Sequence, residues 1–424
     1  MAISPIHQQI DRLSSLPDEL LVIILSFLPV RAAARTSMLS RRFRHLFGAV
    51  LETSPSLELI SRDFPHRRTS AARFITTAEQ TLLRRSPSRP LPCLRLELSR
   101  YLKFSSAETD SSFLPSLFIQ ARSLGVRRLT IEGAAFSPCC LTLPLIFSIT
   151  SLEFLSLPRV VICKRDDSLF PSAVALTNLK SLSMERYIGD PFRLNQLLSQ
   201  LCSLEDFSFE LGNVPAFELF NQTIRRLKII LSGTTKNNTV MLSLPSLELL
   251  HVQYDGMVGL PHIYGDVPSL QKAVLNLSFL RKKDCSAVAA LLTFISHAKE
   301  LILLLKENDD EMYPFPILMK QGKDLPNFPD LKHLNVTMCF HKYNFKAIVM
   351  LLRHALALES LKLVHKVSLS NSRTCARTEN DWRSMLPRNA RKVFYTNLHL
   401  GQHNKDFLKL VGKQCSSSVV EQHH

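Results

Sequence analysis

The stretch that decides how this chain is organised is residues 16–28, LPDELLVIILSFL. Pro17 stands where a helix is expected to begin, and two acidic residues follow in the first turn, where the helix dipole favours negative charge. Of the nine residues after them, only Ser26 is polar. Pro29 is expected to end the run, because proline has no backbone N–H and clashes with the preceding turn. The sequence therefore predicts a short helix that is apolar on all sides.

The residues next to this helix in sequence are too few to bury all of its apolar surface. A helix that is apolar all round must be buried on all sides, yet this one is far shorter than the ~20 residues that span a bilayer. Residues 11–47 are too few to wrap it, because chains below ~40 residues rarely build a sufficient core. One face is therefore expected to bind another protein, and the N-terminus is predicted to be a docking module rather than a catalytic one.

Composition narrows the class of protein. Apolar residues make up 46% of the 424 residues and charged residues 21%, which favours a sizeable core and argues against global disorder. The first residues lack a signal-peptide pattern, and no apolar run reaches membrane-spanning length. We expect a soluble protein of the nucleus and/or cytoplasm, without a membrane partner.

Charge and reactive residues point away from nucleic acid and from catalysis. The net charge is +16, but the basic pairs are dispersed and no aromatic platform is interleaved with them, which argues against a nucleic-acid surface and for a basic scaffold or an acidic partner. The nine cysteines form no C-x-x-C pair and are interpreted as apolar fillers. Nucleotide-binding and nucleophile motifs are absent. His399 and His403 lack a nearby third ligand in sequence. The chain is therefore expected to be no enzyme, with no cofactor, no metal and no catalytic residue.

A helical pattern comes after the apolar stretch. Residues 30–36 contain three consecutive alanines, and Leu39, Phe43, Leu46 and Phe47 then recur at three- and four-residue steps, which predicts a third, amphipathic helix capped by a serine at 37 or 40. Its polar face carries basic residues at 41, 42, 44 and 45. These form either a solvated face or a contact with an acidic partner.

Residues 15–47 resemble the F-box. The matching segments are LPDELL at 16–21, ILSFLP at 24–29 and RTSMLSRRFRHLF at 35–47, with Phe43 and Phe47 where tryptophan is more usual. The resemblance implies the substrate-recognition subunit of an SCF-type (Skp–cullin–F-box) ubiquitin ligase, which docks to a Skp-family adaptor and through it to a cullin. The adaptor-binding residues that it implies are Leu16, Pro17, Leu20, Leu21, Ile24, Leu25, Leu28, Pro29, Leu39 and Phe43.

A repeated unit, apolar-x-x-apolar-x-apolar, begins after a connector helix predicted at 71–83. Ten clear instances have their middle residues at 129, 155, 182, 207, 227, 250, 273, 301, 334 and 361, with ends at 94 and 393. The spacing of 20 to 35 residues is in the range of a leucine-rich solenoid, and each unit predicts a short strand with one buried face. Helices between strands are clearest at 194–201, 287–297 and 347–355.

The whole arrangement resembles the plant-type F-box/LRR (FBD-like) family, with residues 328–364 similar to part of its C-terminal FBD-type region. The predicted fold class is an α/β repeat: an N-terminal three-helix F-box followed by an irregular leucine-rich-repeat solenoid. The predicted domains are an F-box at 11–50, a connector at 51–92, the solenoid at 93–365, an FBD-like cap at 366–412 and a disordered tail at 413–424.

The strands of the repeat present their intervening positions outward, where an unknown protein target is expected to bind. The candidate positions are Glu153, Lys180, Glu205, Lys228, Glu248, His251, Lys332, His333 and Lys362. Their mixed signs favour a protein over a nucleic acid, although each could simply be solvated. No feature supports a small-molecule co-ligand. The alternatives are an F-box/LRR scaffold with a non-degradative assembly role and a nucleic-acid-binding repeat protein.

Overall fold

The computed structural model describes 16 segments of the chain. They are residues 13, 15–63, 70–98, 107–133, 143–157, 160–161, 175–188, 191–211, 216–232, 239–256, 259–281, 284–306, 325–338, 350–365, 392–396 and 422–423. The chain divides into two compact units, unit 1 with Met1–Pro158 and Asp167–Leu179, and unit 2 with Arg159–Asp166 and Lys180–His424. Each contains helices and parallel strands, so the predicted α/β class is confirmed.

Unit 1 opens with three helices: α1 (Asp18–Ser26), α2 (Val30–Thr36) and α3 (Arg41–Thr53). Pro17 and Pro29 occupy the N-cap positions of the first two, where a missing N–H leaves no hydrogen bond unmade. The N-cap of α3 is Ser40, whose hydroxyl accepts a hydrogen bond from the Phe43 N–H at 3.2 Å. Leu39 therefore lies before α3 and not within it.

Unit 1 continues with a parallel sheet, whose four strands neighbour one another in chain order. These are β1 (Ser56–Ile60), β2 (Cys93–Leu98), β3 (Arg128–Gly133) and β4 (Phe154–Leu157). A 3-10 turn (Ser61–Asp63) and helices α4 (Ser70–Leu83), α5 (Ala107–Ser123) and α6 (Leu143–Phe147) lie between them. The predicted helix at 71–83 is confirmed by α4.

Unit 2 has a longer parallel sheet. In chain order its elements are β5 (Val160–Val161), β6 (Ser181–Ile188), α7 (Pro191–Ser199), β7 (Asp206–Leu211), β8 (Ala216–Phe220), β9 (Arg226–Leu231), β10 (Thr239–Ser243), β11 (Leu249–Tyr254), β12 (His262–Asp266), β13 (Lys272–Ser278), α8 (Cys285–Phe294), β14 (Glu300–Lys306), β15 (His333–Met338), β16 (Ser360–His365), β17 (Lys392–Thr396) and β18 (Gln422–His423). Its main sheet runs β6-β7-β9-β11-β13-β14-β15-β16-β17-β18, with β5 beside β6, and a small parallel sheet runs β12-β10-β8.

The repeated unit was a reliable guide to the strands. Each of the twelve predicted units coincides with a parallel strand. In β11, for example, Leu250 and Val252 are fully buried and so is Leu247, which precedes the strand. Because alternate strand residues point to opposite faces, the remaining positions are left on the other face. Parallel neighbours then stack equivalent residues side by side, as in the pairing of Leu250 with Leu227 and Ala273.

Strand β1 falls inside the predicted connector. Its leucines alternate as in the other units, but Ser54 occupies the first apolar position. That serine is buried, and its hydroxyl lies within hydrogen-bond distance of the carbonyl oxygens of Ser26 (3.0 Å) and Ser56 (2.8 Å), which share its single O–H. A hydrogen-bonded serine thus replaces the leucine that the pattern requires, so the pattern could not reveal the strand.

Among the described residues, the elements that connect the repeated strands are either helices or additional strands. Helices α7 and α8 occur close to the predicted 194–201 and 287–297, whereas β8, β10 and β12 replace helices in the intervening connections of unit 2. The start of the predicted helix at 347–355, and most of the predicted cap and tail, lie outside the described residues, and the domain limits stay predictions. No described helix is long and apolar enough to cross a membrane.

Candidate docking site

One side of α1 builds the core of the three-helix segment. Leu21 and Leu25 are buried on α1 and pack with Phe43, Leu46 and Val50 of α3. Phe43, Leu46 and Val50 are separated by three, four and seven positions, which places the three side chains on one face of α3. The segment therefore has a small core made by one stripe of each helix.

Five large apolar residues of α1 and of the turn after it are uncovered. The exposed fractions are 47% for Leu20, 52% for Ile23, 44% for Ile24, 74% for Phe27 and 36% for Leu28. The described helices cover only the Leu21 side, as the all-apolar sequence of this helix led us to expect. Single exposed leucines are ordinary, but a contiguous set of large apolar side chains marks an interaction surface. We call these five residues the α1 face.

Further exposed apolar residues lie elsewhere in this segment. Leu13 precedes α1, and Met38 and Leu39 lie in the turn between α2 and α3 with about three quarters of each side chain exposed. Ile23, Phe27, Leu13 and Met38 were not among the predicted adaptor-binding residues. Ile23 and Phe27 lie four positions apart in the same apolar run, and this spacing could have shown from the sequence that they share one face of the helix.

The predicted adaptor-binding residues divide by exposure. Pro17, Leu20, Ile24, Leu28, Pro29 and Leu39 are exposed, and Leu16 is half-buried against the core. Leu21, Leu25 and Phe43 are buried in that core, so in this structure they hold α1 in place and present no surface. Binding by any of the ten stays a prediction.

The basic residues of α3 have different roles. Arg42 closes the segment on itself, because its Nε donates to Asp18 Oδ1 at 2.7 Å and its guanidinium also reaches the Leu16 carbonyl oxygen at 2.5 Å. Arg41, Arg44 and His45 are exposed. The solvated interpretation does not fit Arg42, which is engaged within the chain.

Arg85, two residues after the end of α4, is bonded to the end of the three-helix segment. It is only 4% exposed, and its two terminal nitrogens donate to the carbonyl oxygens of Leu51 at 2.5 Å and Ser54 at 2.9 Å. The last carbonyl groups of a helix have no partner within it, and a cation is favourable there. Arg85 thereby caps the C-terminus of α3. Burial lowers the pKa of its guanidinium, although the ordinary value is so high that the charge is kept.

Several predicted target-binding residues are engaged with neighbouring strands. In unit 1, Glu153 accepts from Arg127 Nε at 2.8 Å. In unit 2, Glu248 and Lys332 pair with Arg225 at 3.5 Å and Glu359 at 3.1 Å, and Glu205 lies 4.0 Å from Arg226. Exposed pairs of this kind add little stability, but they satisfy the charges at the edge where the strands begin.

The other predicted positions are more open. Lys180 and His333 are exposed near strand starts, whereas Lys228, His251 and Lys362 lie within strands on the face away from the core. Burial and the neighbouring Lys228 lower the pKa of His251. The structure thus separates a charge-paired edge from a face with cations, and target binding stays a prediction for all nine positions.

In the part of the chain that the structure describes, no group of three or more His, Cys, Asp or Glu residues is arranged to hold a metal ion.

Comparison with known proteins identifies the N-terminal segment and its relatives. Residues 13–51 match the F-box domain family. A putative F-box/FBD/LRR-repeat protein of Arabidopsis thaliana is 31% identical over 57% of this chain, and the match spans 53% of that relative, about half its length. An FBD-associated F-box protein of the same plant is 28% identical over 83% of this chain and 75% of its own length. A putative F-box/LRR-repeat protein from that plant is 25% identical over 96% of this chain and 93% of its own length.

Proposed function

The chain is a member of the plant-type F-box/LRR (FBD-like) family, and from this we propose that it is the substrate-recognition subunit of an SCF-type ubiquitin ligase. F-box domains generally bind Skp-family adaptors in SCF complexes. The observation that carries the proposal is the α1 face, a set of exposed aliphatic and aromatic side chains within the matched segment.

The α1 face has the chemistry of a protein interface. Complete burial of a fully exposed leucine or isoleucine is worth ~1.5–3 kcal/mol. Since these side chains are already about half covered, we expect ~1 kcal/mol from each, and more from Phe27. Together they offset part of the unfavourable free energy of association. The exposed Arg41 and Arg44 would lie at the rim and steer an acidic partner.

The sheet of unit 2 supplies the second half of the proposal. We propose that its parallel strands, which recur with the apolar-x-x-apolar-x-apolar unit, form the inner layer of an irregular leucine-rich solenoid that binds a protein target. Catalysis is then positional, because the chain holds the target at high effective concentration near an enzyme bound through the adaptor and cullin. In this proposal the chain is not itself an enzyme, and it acts in the nucleus and/or cytoplasm.

A scaffold that uses its F-box for non-degradative assembly is the second candidate. It shares the α1 face and the adaptor, so the adaptor alone does not distinguish the two functions. Recruitment of a cullin does.

The docking half of the proposal is tested by co-purification of the full chain with a Skp-family adaptor. Leu20→Asp combined with Ile24→Asp places two carboxylates on the α1 face, and we expect the adaptor to be lost while circular dichroism stays unchanged. The matched control is Ile119→Asp, an exposed apolar residue of α5, which should retain the adaptor. Loss of helical signal in the double variant would show that the two residues belong to the core, and retention of the adaptor would refute docking through this face.

A further inference from the structure

One register position of unit 2 runs from Ser183 in β6 to Phe394 in β17, and six of its residues lie on adjacent strands from β9 to β16, on the face away from the core. Hydrogen-bonded pairing places these residues side by side, and each lies between buried residues of its own strand. They are Lys228, His251, Val274, Ile302, Asn335 and Lys362, from β9, β11, β13, β14, β15 and β16. We call them the open row.

The open row has basic ends and an aliphatic centre. Neighbouring strands lie ~4.8 Å apart, so its five strand-to-strand steps span ~24 Å. Lys228 and Lys362 stand at its two ends, and Val274 and Ile302 lie between them. Two residues further along β14, Leu304 is also half-exposed on this face. A binding partner would therefore meet apolar surface in the middle and positive charge at both ends.

The charges of the open row are not neutralised by the acidic residues at the strand starts. Those acids already have partners: Asp206 with Arg226, Glu248 with Arg225, and Glu300 with Lys272 at 2.8 Å. The open row itself contains no acidic residue, and neither of its lysines forms an ion pair with a described residue. An acidic partner is electrostatically complementary to this surface.

Two polar atoms of the open row lack a hydrogen-bond partner among the described residues. They are His251 Nε2 and Asn335 Oδ1, both inaccessible to water. Because both atoms are closed to solvent, a ligand on this surface would contact the lysines and the aliphatic side chains of the open row and not these two atoms. The aliphatic centre at Val274 and Ile302 favours a protein over a nucleic acid, because it offers neither charge to a phosphate nor a ring on which a base could stack.

Resting on the target-recognition role proposed above, we propose that the open row binds an acidic protein segment whose aliphatic side chains contact Val274 and Ile302 and whose carboxylates pair with Lys228 and Lys362. A helix of ~16 residues matches the ~24 Å span. Peptides of this length are therefore used as probes in the experiment.

The test is a selection with a phage library of random 16-residue peptides on the full chain bound to its Skp-family adaptor. We expect enrichment of sequences with aspartate or glutamate on both sides of aliphatic residues. Lys228→Glu combined with Lys362→Glu should reduce recovery of those phages about tenfold or more. Lys299→Glu is the matched control, because Lys299 is an exposed lysine of unit 2 outside the open row and outside the predicted target-binding positions, and recovery should stay unchanged.

The outcomes separate this inference from the proposed function. If the chain retains the adaptor but enriches no acidic aliphatic peptides, or if Lys299→Glu reduces recovery as much as the double variant, the open-row assignment is overturned while docking stands. If peptides are selected by a chain that does not bind the adaptor, docking fails and the assignment stands. Displacement of the peptides by single-stranded RNA, with steep salt dependence, would overturn the assignment in favour of a nucleic acid.

Discussion

Arg85 shows how one buried charge links two parts of unit 1. Its guanidinium is held by the carbonyl oxygens of Leu51 and Ser54, and Ser54 in turn bonds to the last residue of α1. The three-helix segment is thus joined to the start of the sheet by polar contacts as well as by packing. Nothing in the spacing of the sequence indicated this role, because an arginine beside a second arginine and a proline-rich break looks like ordinary solvated surface.

We expect Arg85→Ala to lower the free energy of unfolding of unit 1 by ~1–3 kcal/mol, since it leaves two buried carbonyl groups without donors. The adjacent Arg84 is exposed, and Arg84→Ala is the matched control, for which we expect a change within ~0.5 kcal/mol. Urea denaturation followed by circular dichroism measures both. Equal stability of the two variants would mean that the Arg85 contacts contribute nothing.

His251 gives a pH dependence of known sign. Burial, and then the positive charge of Lys228, lower the pKa of His251 in the folded chain below its ordinary value near 6.5. The unfolded chain therefore binds more protons at this position, and stability from His251 falls as the pH decreases below about 6.5. We expect His251→Gln to lose less stability than the unmodified chain between pH 7 and pH 5.

Thermal melting at a series of pH values checks this dependence. The exposed His333→Gln provides the comparison, since it removes an imidazole that is not held in the interior of the strand. If His251→Gln and His333→Gln melt with the same pH profile, the His251 contribution is absent.

At the scale of the element, α1 has two sides with separate functions. The sequence predicted an apolar helix with one face left for a partner, and this is the arrangement in the structure. It could not tell which apolar residues lie inside, because an all-apolar run has no amphipathic stripe to assign. Family positions then placed buried Leu21 and Leu25 among the contacts and left out exposed Ile23 and Phe27. The three-dimensional position of α3 resolves the two sides.

Substitution of one residue on each side of α1 separates docking from folding. We expect Phe27→Asp, on a side chain that is 74% exposed, to weaken adaptor binding with little change in melting temperature. Leu21→Asp, at a fully buried position, should instead unfold the three-helix segment, because an unpaired carboxylate in the core is strongly destabilising. Calorimetric titration with the adaptor and thermal melting measure the two effects. Phe27→Asp that binds normally, or Leu21→Asp that melts normally, would contradict this division.

The strands of unit 2 were predictable where one apolar pattern repeats and not where it is short. Strands β8, β10 and β12 bury only one or two apolar residues each, such as Phe217 and Leu219 in β8. Two apolar residues in five fit a turn of helix as well as a strand. Their pairing into a small sheet depends on three successive repeats that each place a strand at the same level, which a single unit does not reveal.

At the scale of the whole molecule, family and the order of parallel strands could be anticipated, while the surface could not. The buried positions of the repeat follow from periodicity, because every unit needs the same apolar face. An outward residue is available to a partner only when it is not held in an ion pair with a neighbouring strand, as Arg225 is with Glu248. Such pairs are set by the register between strands, which the sequence of one strand does not contain. Of the nine predicted target positions, Glu153, Glu248 and Lys332 form such ion pairs, and Glu205 lies 4.0 Å from the guanidinium of Arg226. The aliphatic centre of the open row was not predicted.

The most direct test of the receptor account is whether the full chain carries a cullin through the adaptor. We would co-express the chain with a Skp-family adaptor and a cullin and measure the mass of the purified assembly by light scattering. The account predicts a complex with one copy of each, and loss of both partners when Leu20 and Ile24 are changed to aspartate. A stable complex of chain and adaptor that excludes the cullin would contradict a receptor role and favour the scaffold, and a chain that purifies alone would refute docking through the F-box.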